Sequence, residues 1–71
     1  MTTRSFYRDY VLSCQPMQLE DGRYQARVAI TSMHLNKTCA QRFLDLDSFD
    51  SREDAVERAR QAGMDWIDAN G

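Results

Sequence analysis

The chain contains few of the residues that form catalytic, metal-binding or phosphate-binding motifs. Its 71 residues include one histidine, two cysteines and three glycines. The glycines are isolated from one another and form no phosphate-binding loop, and no cysteine or histidine spacing matches a zinc site. The one histidine, His34, lies in a predicted loop away from any catalytic motif. We therefore predict that the protein is not an enzyme and that it binds no metal and no cofactor.

Long apolar segments are also missing. No run approaches the roughly 20 residues of a transmembrane helix, and residues 1–4 (MTTR) lack the apolar region of a signal peptide. Secreted domains of this size usually carry more than two cysteines. Cys14 and Cys39 are predicted to be small buried side chains, with a disulfide as the alternative. We expect a cytoplasmic protein without membrane association.

The clearest positive signal is an amphipathic helix over residues 51–69. Ser51 and Asp54 have the spacing of a capping box, which marks the start. Because glycine costs a helix interior about 1 kcal/mol relative to alanine, Gly63 predicts a close contact at that point, unless the helix ends there. Small and apolar residues recur at spacings of three and four, which predicts one buried face: Ala55, Val56, Ala59, Ala62, Gly63, Trp66 and Ile67.

Three earlier segments, residues 6–15, 23–32 and 38–46, are predicted to be strands. The pair Asp21-Gly22 predicts the first turn, because glycine tolerates a positive φ, and Asn36-Lys37 predicts the second. Alternation in the first two strands predicts a core-facing set: Tyr10, Leu12, Cys14, Tyr24, Ala26, Val28 and Ile30.

The phase of the third strand is ambiguous. Either Arg42, Leu44 and Leu46 face the core or Cys39, Gln41 and Phe43 do, and a β-bulge would reconcile the two patterns. The predicted fold class is α+β, with a three-stranded antiparallel β-meander covered on one face by a C-terminal α-helix (β-β-β-α). Residues 1–71 form a single domain in which residues 1–5 are predicted to be disordered.

A single helix covers only one face of such a sheet, which leaves the other face for a partner. The residues predicted to lie there are Tyr7, Val11, Arg27, Ala29 and Phe43. Their mixture of aromatic, aliphatic and basic character favours an interaction surface. We expect a non-enzymatic homo-oligomerisation or protein-interaction module, with a homodimer as the first candidate and another protein partner as the second.

The charges suggest an alternative. Residues 1–44 carry six basic and three acidic residues, a net charge of +3, whereas residues 45–71 carry three basic and eight acidic residues, a net charge of −5. A basic sheet half is compatible with nucleic-acid binding, although the overall net charge of −2 disfavours it. The candidate contacts are Arg8, Arg23, Arg27, Lys37 and Arg42, with Tyr7 or Tyr24 for stacking.

Three segments carry a resemblance to known proteins: residues 22–28 (GRYQARV), 49–59 (FDSREDAVERA) and 66–68 (WID). Over residues 6–69 the chain resembles a group of small bacterial proteins of unknown function, common in proteobacteria, in which a β-meander precedes one helix. That resemblance implies a fold and no activity. A weaker likeness is to HicB-like antitoxin domains, whose strands also lead into a helix opening with a Ser/Thr-x-x-Asp/Glu-Ala stretch.

Overall fold

The structure, a computed structural model, describes residues 3–33 and 39–70. In this part of the chain seven strands precede one helix. The fold is α+β, with antiparallel sheets and a C-terminal helix. The elements are β1 (Thr3–Tyr7), β2 (Tyr10–Cys14), β3 (Met17–Gln18), β4 (Tyr24–Gln25), β5 (Val28–Ser32), β6 (Cys39–Phe43), β7 (Ser48–Phe49) and α1 (Arg52–Asn70).

The described strands form two sheets instead of the predicted three-stranded meander. The larger sheet has the order β1-β2-β5-β6 and the smaller sheet has the order β3-β4-β7, with antiparallel neighbours throughout. The helix α1 packs on β2 and β5 at the centre of the larger sheet and on β7 of the smaller one. The prediction of three strands is therefore wrong, whereas the antiparallel sheet and the C-terminal helix are confirmed.

The first predicted strand is two strands joined by a tight turn. Arg8 and Asp9 form the turn, and Arg8 has a φ of 54°, in the left-handed region that non-glycine residues seldom adopt. The turn sets Tyr7 beside Tyr10. Residues 3–5, predicted to be disordered, lie in β1.

The second predicted strand bends from one sheet into the other. Its start forms β4 and its end forms β5. The antiparallel neighbouring segment bends at the same place, at Gln15 and Pro16, where β2 ends and β3 follows. A backbone hydrogen bond from Gln15 N to Arg27 O (3.1 Å) bridges the two bends. The predicted Asp21-Gly22 turn closes this hairpin, with Gly22 at a φ of 87°.

The strand register resolves the phase of β6. Val28 pairs with Phe43, and Ile30 pairs with Gln41. Since directly opposite residues point to the same face and both Val28 and Ile30 are buried, Phe43 and Gln41 face the core. Arg42 therefore faces away from α1. The pairing of β5 with β6 shifts register between Ile30 and Thr31, as at a β-bulge.

The helix begins as predicted. The Ser51 Oγ accepts hydrogen bonds from the backbone N–H groups of Glu53 (3.2 Å) and Asp54 (3.4 Å), which satisfies donors that the first turn leaves unpaired. The helix continues through Gly63 to Asn70. A Cβ added at Gly63 would lie 2.7 Å from Cδ2 of Leu12, so the predicted close contact is confirmed and the alternative of a helix ending at Gly63 is excluded.

The core lies between α1 and the covered face of the larger sheet. The sheet supplies the bulk and the helix supplies mostly small residues, which lets the helix approach closely. Trp66 is half-buried and forms a T-shaped contact with Tyr10, with the ring centroids 6.3 Å apart. The fully buried apolar side chains are Leu12, Cys14, Ala26, Val28, Ile30, Ala55, Ala59 and Ile67.

Candidate interaction face

The side of the larger sheet that faces away from α1 is here called the open face. Two cross-strand rows of paired residues build it. In one row Arg4 pairs with Ser13, Ser13 with Ala29 and Ala29 with Arg42. In the next row Phe6 pairs with Val11 and Val11 with Thr31. Paired residues share a face, so all seven side chains point away from the helix: Arg4, Phe6, Val11, Ser13, Ala29, Thr31 and Arg42.

The predicted interaction residues divide between the two faces. Val11 and Ala29 belong to the open face, and Arg27 lines a hollow at its end. Tyr7 and Phe43 do not: both pack against the core. A single strand over residues 6–15 would place Tyr7 and Val11 on the same face, but the turn at Arg8 and Asp9 pairs Tyr7 with Tyr10 instead. Phe43 takes the phase of its partner Val28.

The open face also carries residues that the sequence did not reveal. Arg4 and Phe6 alternate with Ser5 and Tyr7 along β1. This short alternation is a sequence signal for a strand, and the prediction that residues 1–5 are disordered overlooks it. Phe6 is 75% exposed, Leu44 58% and Met33 43%. Exposed large apolar side chains grouped on one face are typical of interaction sites.

Two adjoining hollows cover the open face. The apolar hollow, about 350 Å³, is lined by Arg4, Phe6, Val11, Ser13, Thr31 and Met33. The two-arginine hollow, about 300 Å³, is lined by Ser13, Gln15, Arg27, Val28, Ala29, Arg42 and Leu44. Both linings include Ser13, so the two hollows are neighbours on the open face. Among these described residues there is no aspartate or glutamate.

The arginines of the open face form no ion pair with a carboxylate of the described residues, whereas four arginines elsewhere do. Arg27 Nε donates to the Gln15 carbonyl (2.9 Å), and neither Arg4 nor Arg42 forms an ion pair with any residue that the structure describes. Elsewhere Arg58 pairs with Asp47, and Arg60 pairs with Glu57. Within residues 3–33 and 39–70 the open face therefore carries positive charge that no carboxylate compensates.

Two of the candidate nucleic-acid contacts are engaged elsewhere in the fold. Arg8 lies 3.2 Å from Asp68 Oδ1, which also accepts a hydrogen bond from the Tyr7 hydroxyl (2.8 Å). Hydrogen bonding with Tyr7 and the charge of Asp68 raise the pKa of the Arg8 guanidinium. Arg23 pairs with Asp50 (3.3 Å).

The remaining candidates also divide. Arg27 and Arg42 line the two-arginine hollow, whereas Tyr24 is half-buried against the core. Lys37, His34 and the predicted Asn36-Lys37 turn lie outside the described residues.

Cys14 is a free thiol, buried on the covered face. Its removal from solvent raises the pKa of the thiol above the ordinary value of 9.0, because burial disfavours the thiolate. The adjacent residue on β2, Ser13, points to the open face instead. The covered face thus holds a protonated thiol of low reactivity.

The carboxylates before α1 serve three different partners. Asp45 accepts a hydrogen bond from Gln25 Nε2 (2.7 Å), Asp47 pairs with Arg58 and Asp50 with Arg23. Within residues 3–33 and 39–70 no three His, Cys, Asp or Glu side chains are grouped as metal ligands. The described helix does not have the length and apolar character needed to span a bilayer.

Comparison of the chain with family models, with curated proteins and with solved structures finds no match.

Proposed function

We propose that this protein is a non-enzymatic protein-interaction module that binds its partner through the open face. The observation that carries the proposal is the composition of this face. Phe6, Met33 and Leu44 are exposed there, beside two neighbouring hollows lined by arginines and by no described carboxylate. A small domain has little apolar surface to spare, and leaving large apolar groups in water is unfavourable.

A second copy of the chain is the first partner to test. The protein has a mass of 8.3 kDa, so a homodimer is readily separated from a monomer by light scattering. The molar mass is measured across a range of concentrations at low and high salt. A dimer that survives high salt and is weakened in a Phe6→Ser/Leu44→Ser variant supports self-association through the open face.

A monomer at every concentration would remove the self-association form of the proposal. The form with a different protein partner is then tested by titration with a designed helical peptide. If no protein or peptide perturbs the open face, the proposed function is wrong.

Single-stranded nucleic acid is the alternative ligand, and the uncompensated arginines are the observation that favours it. Such sites combine a basic groove with aromatic side chains on which bases stack. Contacts from Arg4, Arg27 and Arg42 to three phosphates would give a slope of log affinity against log salt of about −2. A flat salt response, or no binding to an oligonucleotide at low salt, would exclude this alternative.

A further inference from the structure

We infer that the open face is a trough for an acidic amphipathic α-helix of a partner protein. The inference rests on the proposed function and names the chemistry of the partner. It follows from the shape of the trough, the distribution of its charges and the sizes of its residues.

The shape comes from the cross-strand row that contains Ser13 and Ala29. These two small residues lie on the central strands β2 and β5, and arginines stand at both ends of the row on the outer strands β1 and β6. The floor is half-buried, whereas Arg4 and Arg42 are exposed. Three strand spacings separate the two arginines, or about 14 Å between their Cα atoms. An α-helix with its side chains is about 10–12 Å across, so it fits between these two walls.

The charges on the walls require negative charge on both flanks of the helix. Arg4 forms one wall and Arg42 forms the other, and Arg27 lines the trough at its end, beside Gln15. Neither Arg4 nor Arg42 has an ion-pair partner among the described residues. Guanidinium groups bind carboxylates with good geometry, and the two sides of a helix adjacent to an apolar stripe are natural places for glutamate and aspartate.

The floor of the trough has small side chains, so the partner helix must supply the large apolar side chains that fill it. On the covered face large sheet residues such as Leu12 meet small helix residues such as Gly63. On the open face the floor is small at Ser13 and Ala29. A helix with larger apolar residues along its stripe would fill this floor and reach Phe6 at one end and Leu44 at the other.

Other occupants fit these features less well. In a homodimer with the two open faces in contact, the arginines of both copies would lie in one interface. The described residues that line the two hollows include no carboxylate to neutralise them, and like charges in an interface oppose association. The chain's own helix cannot serve in a second copy, because its apolar residues Ala59 and Ile67 are buried in its own core. A single-stranded nucleic acid would find one exposed aromatic side chain, Phe6, among the described residues of the trough.

The test uses two designed helical peptides of about 20 residues, a length at which an isolated helix can form in water. Both have the same leucine and alanine stripe. One carries glutamate on both flanks of the stripe, and the other carries lysine at the same positions. A single-stranded DNA of about 12 nucleotides serves as the third probe. Each is labelled and titrated against the intact protein by fluorescence anisotropy, and amide chemical shifts locate the contact.

Two variants report on the walls. Arg4→Gln/Arg42→Gln removes two charges from the trough, and Arg58→Gln/Arg60→Gln removes two from α1 as the matched control. Circular dichroism verifies that both variants are folded. Because exposed ion pairs are individually weak, we expect the trough variant to raise the Kd of the glutamate peptide about tenfold. The helix variant should change it less than about twofold.

The inference is supported if the glutamate peptide binds, shifts the amides of β2 and β5 and responds to the trough variant alone. It is overturned if both peptides bind equally, if only the DNA binds, or if the helix variant weakens binding as much as the trough variant. Self-association through the open face without peptide binding would overturn this inference and leave the proposed function standing. If neither a peptide nor a second copy perturbs the open face, both fail.

Discussion

The two faces of the larger sheet use the same strands in opposite ways. On the covered face β2 and β5 present large apolar residues, and α1 meets them with small ones. On the open face the same strands present four half-buried residues, Val11, Ser13, Ala29 and Thr31. The exposed Phe6, Arg4 and Arg42 lie on the outer strands. The two faces also differ in charge, because the open face carries arginines that form no ion pair with a described carboxylate. One face is complementary to its helix, whereas the other leaves large apolar side chains and arginines exposed.

Neighbouring residues on β2 provide the strongest test of this difference. Leu12 is fully buried on the covered face, whereas Val11 is half-buried on the open face. We expect Leu12→Ala to lower the free energy of unfolding by about 2–5 kcal/mol, because it removes core contacts and leaves a cavity. Val11→Ala should cost less than about 1 kcal/mol. Urea denaturation measures both values, and equal losses would mean that the open face is buried in solution.

The contact between Gly63 and Leu12 gives a smaller effect with opposing contributions. Alanine in place of Gly63 favours the helix by about 1 kcal/mol. The added Cβ would lie 2.7 Å from Leu12 Cδ2, and overpacking of a core costs about 1–3 kcal/mol. We expect Gly63→Ala to lower the free energy of unfolding by up to about 2 kcal/mol, measured in the same denaturant series.

Two further variants separate these contributions. Ala62→Gly, at the adjacent half-buried helix position, measures the helix propensity alone, about 1 kcal/mol. In the double variant Leu12→Ala/Gly63→Ala the added methyl group enters the space left by leucine. The double loss should therefore be smaller than the sum of the single losses by at least about 0.5 kcal/mol. Simple additivity, or a stabilised Gly63→Ala, would show that Leu12 moves away without cost.

The buried thiol gives the smallest effect on stability, and it depends on pH. Burial raises the pKa of Cys14 above 9.0 in the folded chain, so the unfolded chain releases its proton first. Its contribution to stability is present below the unfolded pKa and is lost as the pH rises through the folded pKa. The free energy of unfolding should fall above about pH 9, by up to about 1.4 kcal/mol per pH unit. The difference between wild type and Cys14→Ala, followed from pH 7 to 10, isolates this effect, and a constant difference would contradict it.

The rates at which thiols on the two faces react with a disulfide reagent also measure the difference in accessibility between the faces. In a Cys39→Ser background Cys14 is the only cysteine. A Ser13→Cys substitution then places a second thiol one residue away, on the open face. A disulfide reagent should modify the new thiol at least about tenfold faster than Cys14, because accessible thiols ionise more readily. Similar rates would show that the two faces are equally accessible.

Local sequence patterns were sufficient where neighbouring residues determine the structure. Ser51 caps the helix, and Gly22 adopts the positive φ that its turn requires. The alternation around Leu12 and Ile30 identified the buried side of both strands. Gly63 predicted a close contact because an internal helical glycine needs a packing reason.

The same patterns failed where one strand's phase depends on another strand. The turn at Arg8 has no glycine, so the strands before and after it looked like one strand. A single strand through this turn places Tyr7 on the open face, whereas Tyr7 packs against the core. In β6 two alternating patterns competed, and pairing with Val28 selected the one that buries Phe43.

The class of the fold, the extent of the helix and most of its buried residues follow from the sequence alone, because hydrophobic period and capping are properties of adjacent residues. The tertiary structure decided how the strands divide between two sheets, which arginines are neutralised and which side chains form the open face. These depend on register, and a shift of one residue moves every side chain of a strand to the opposite face.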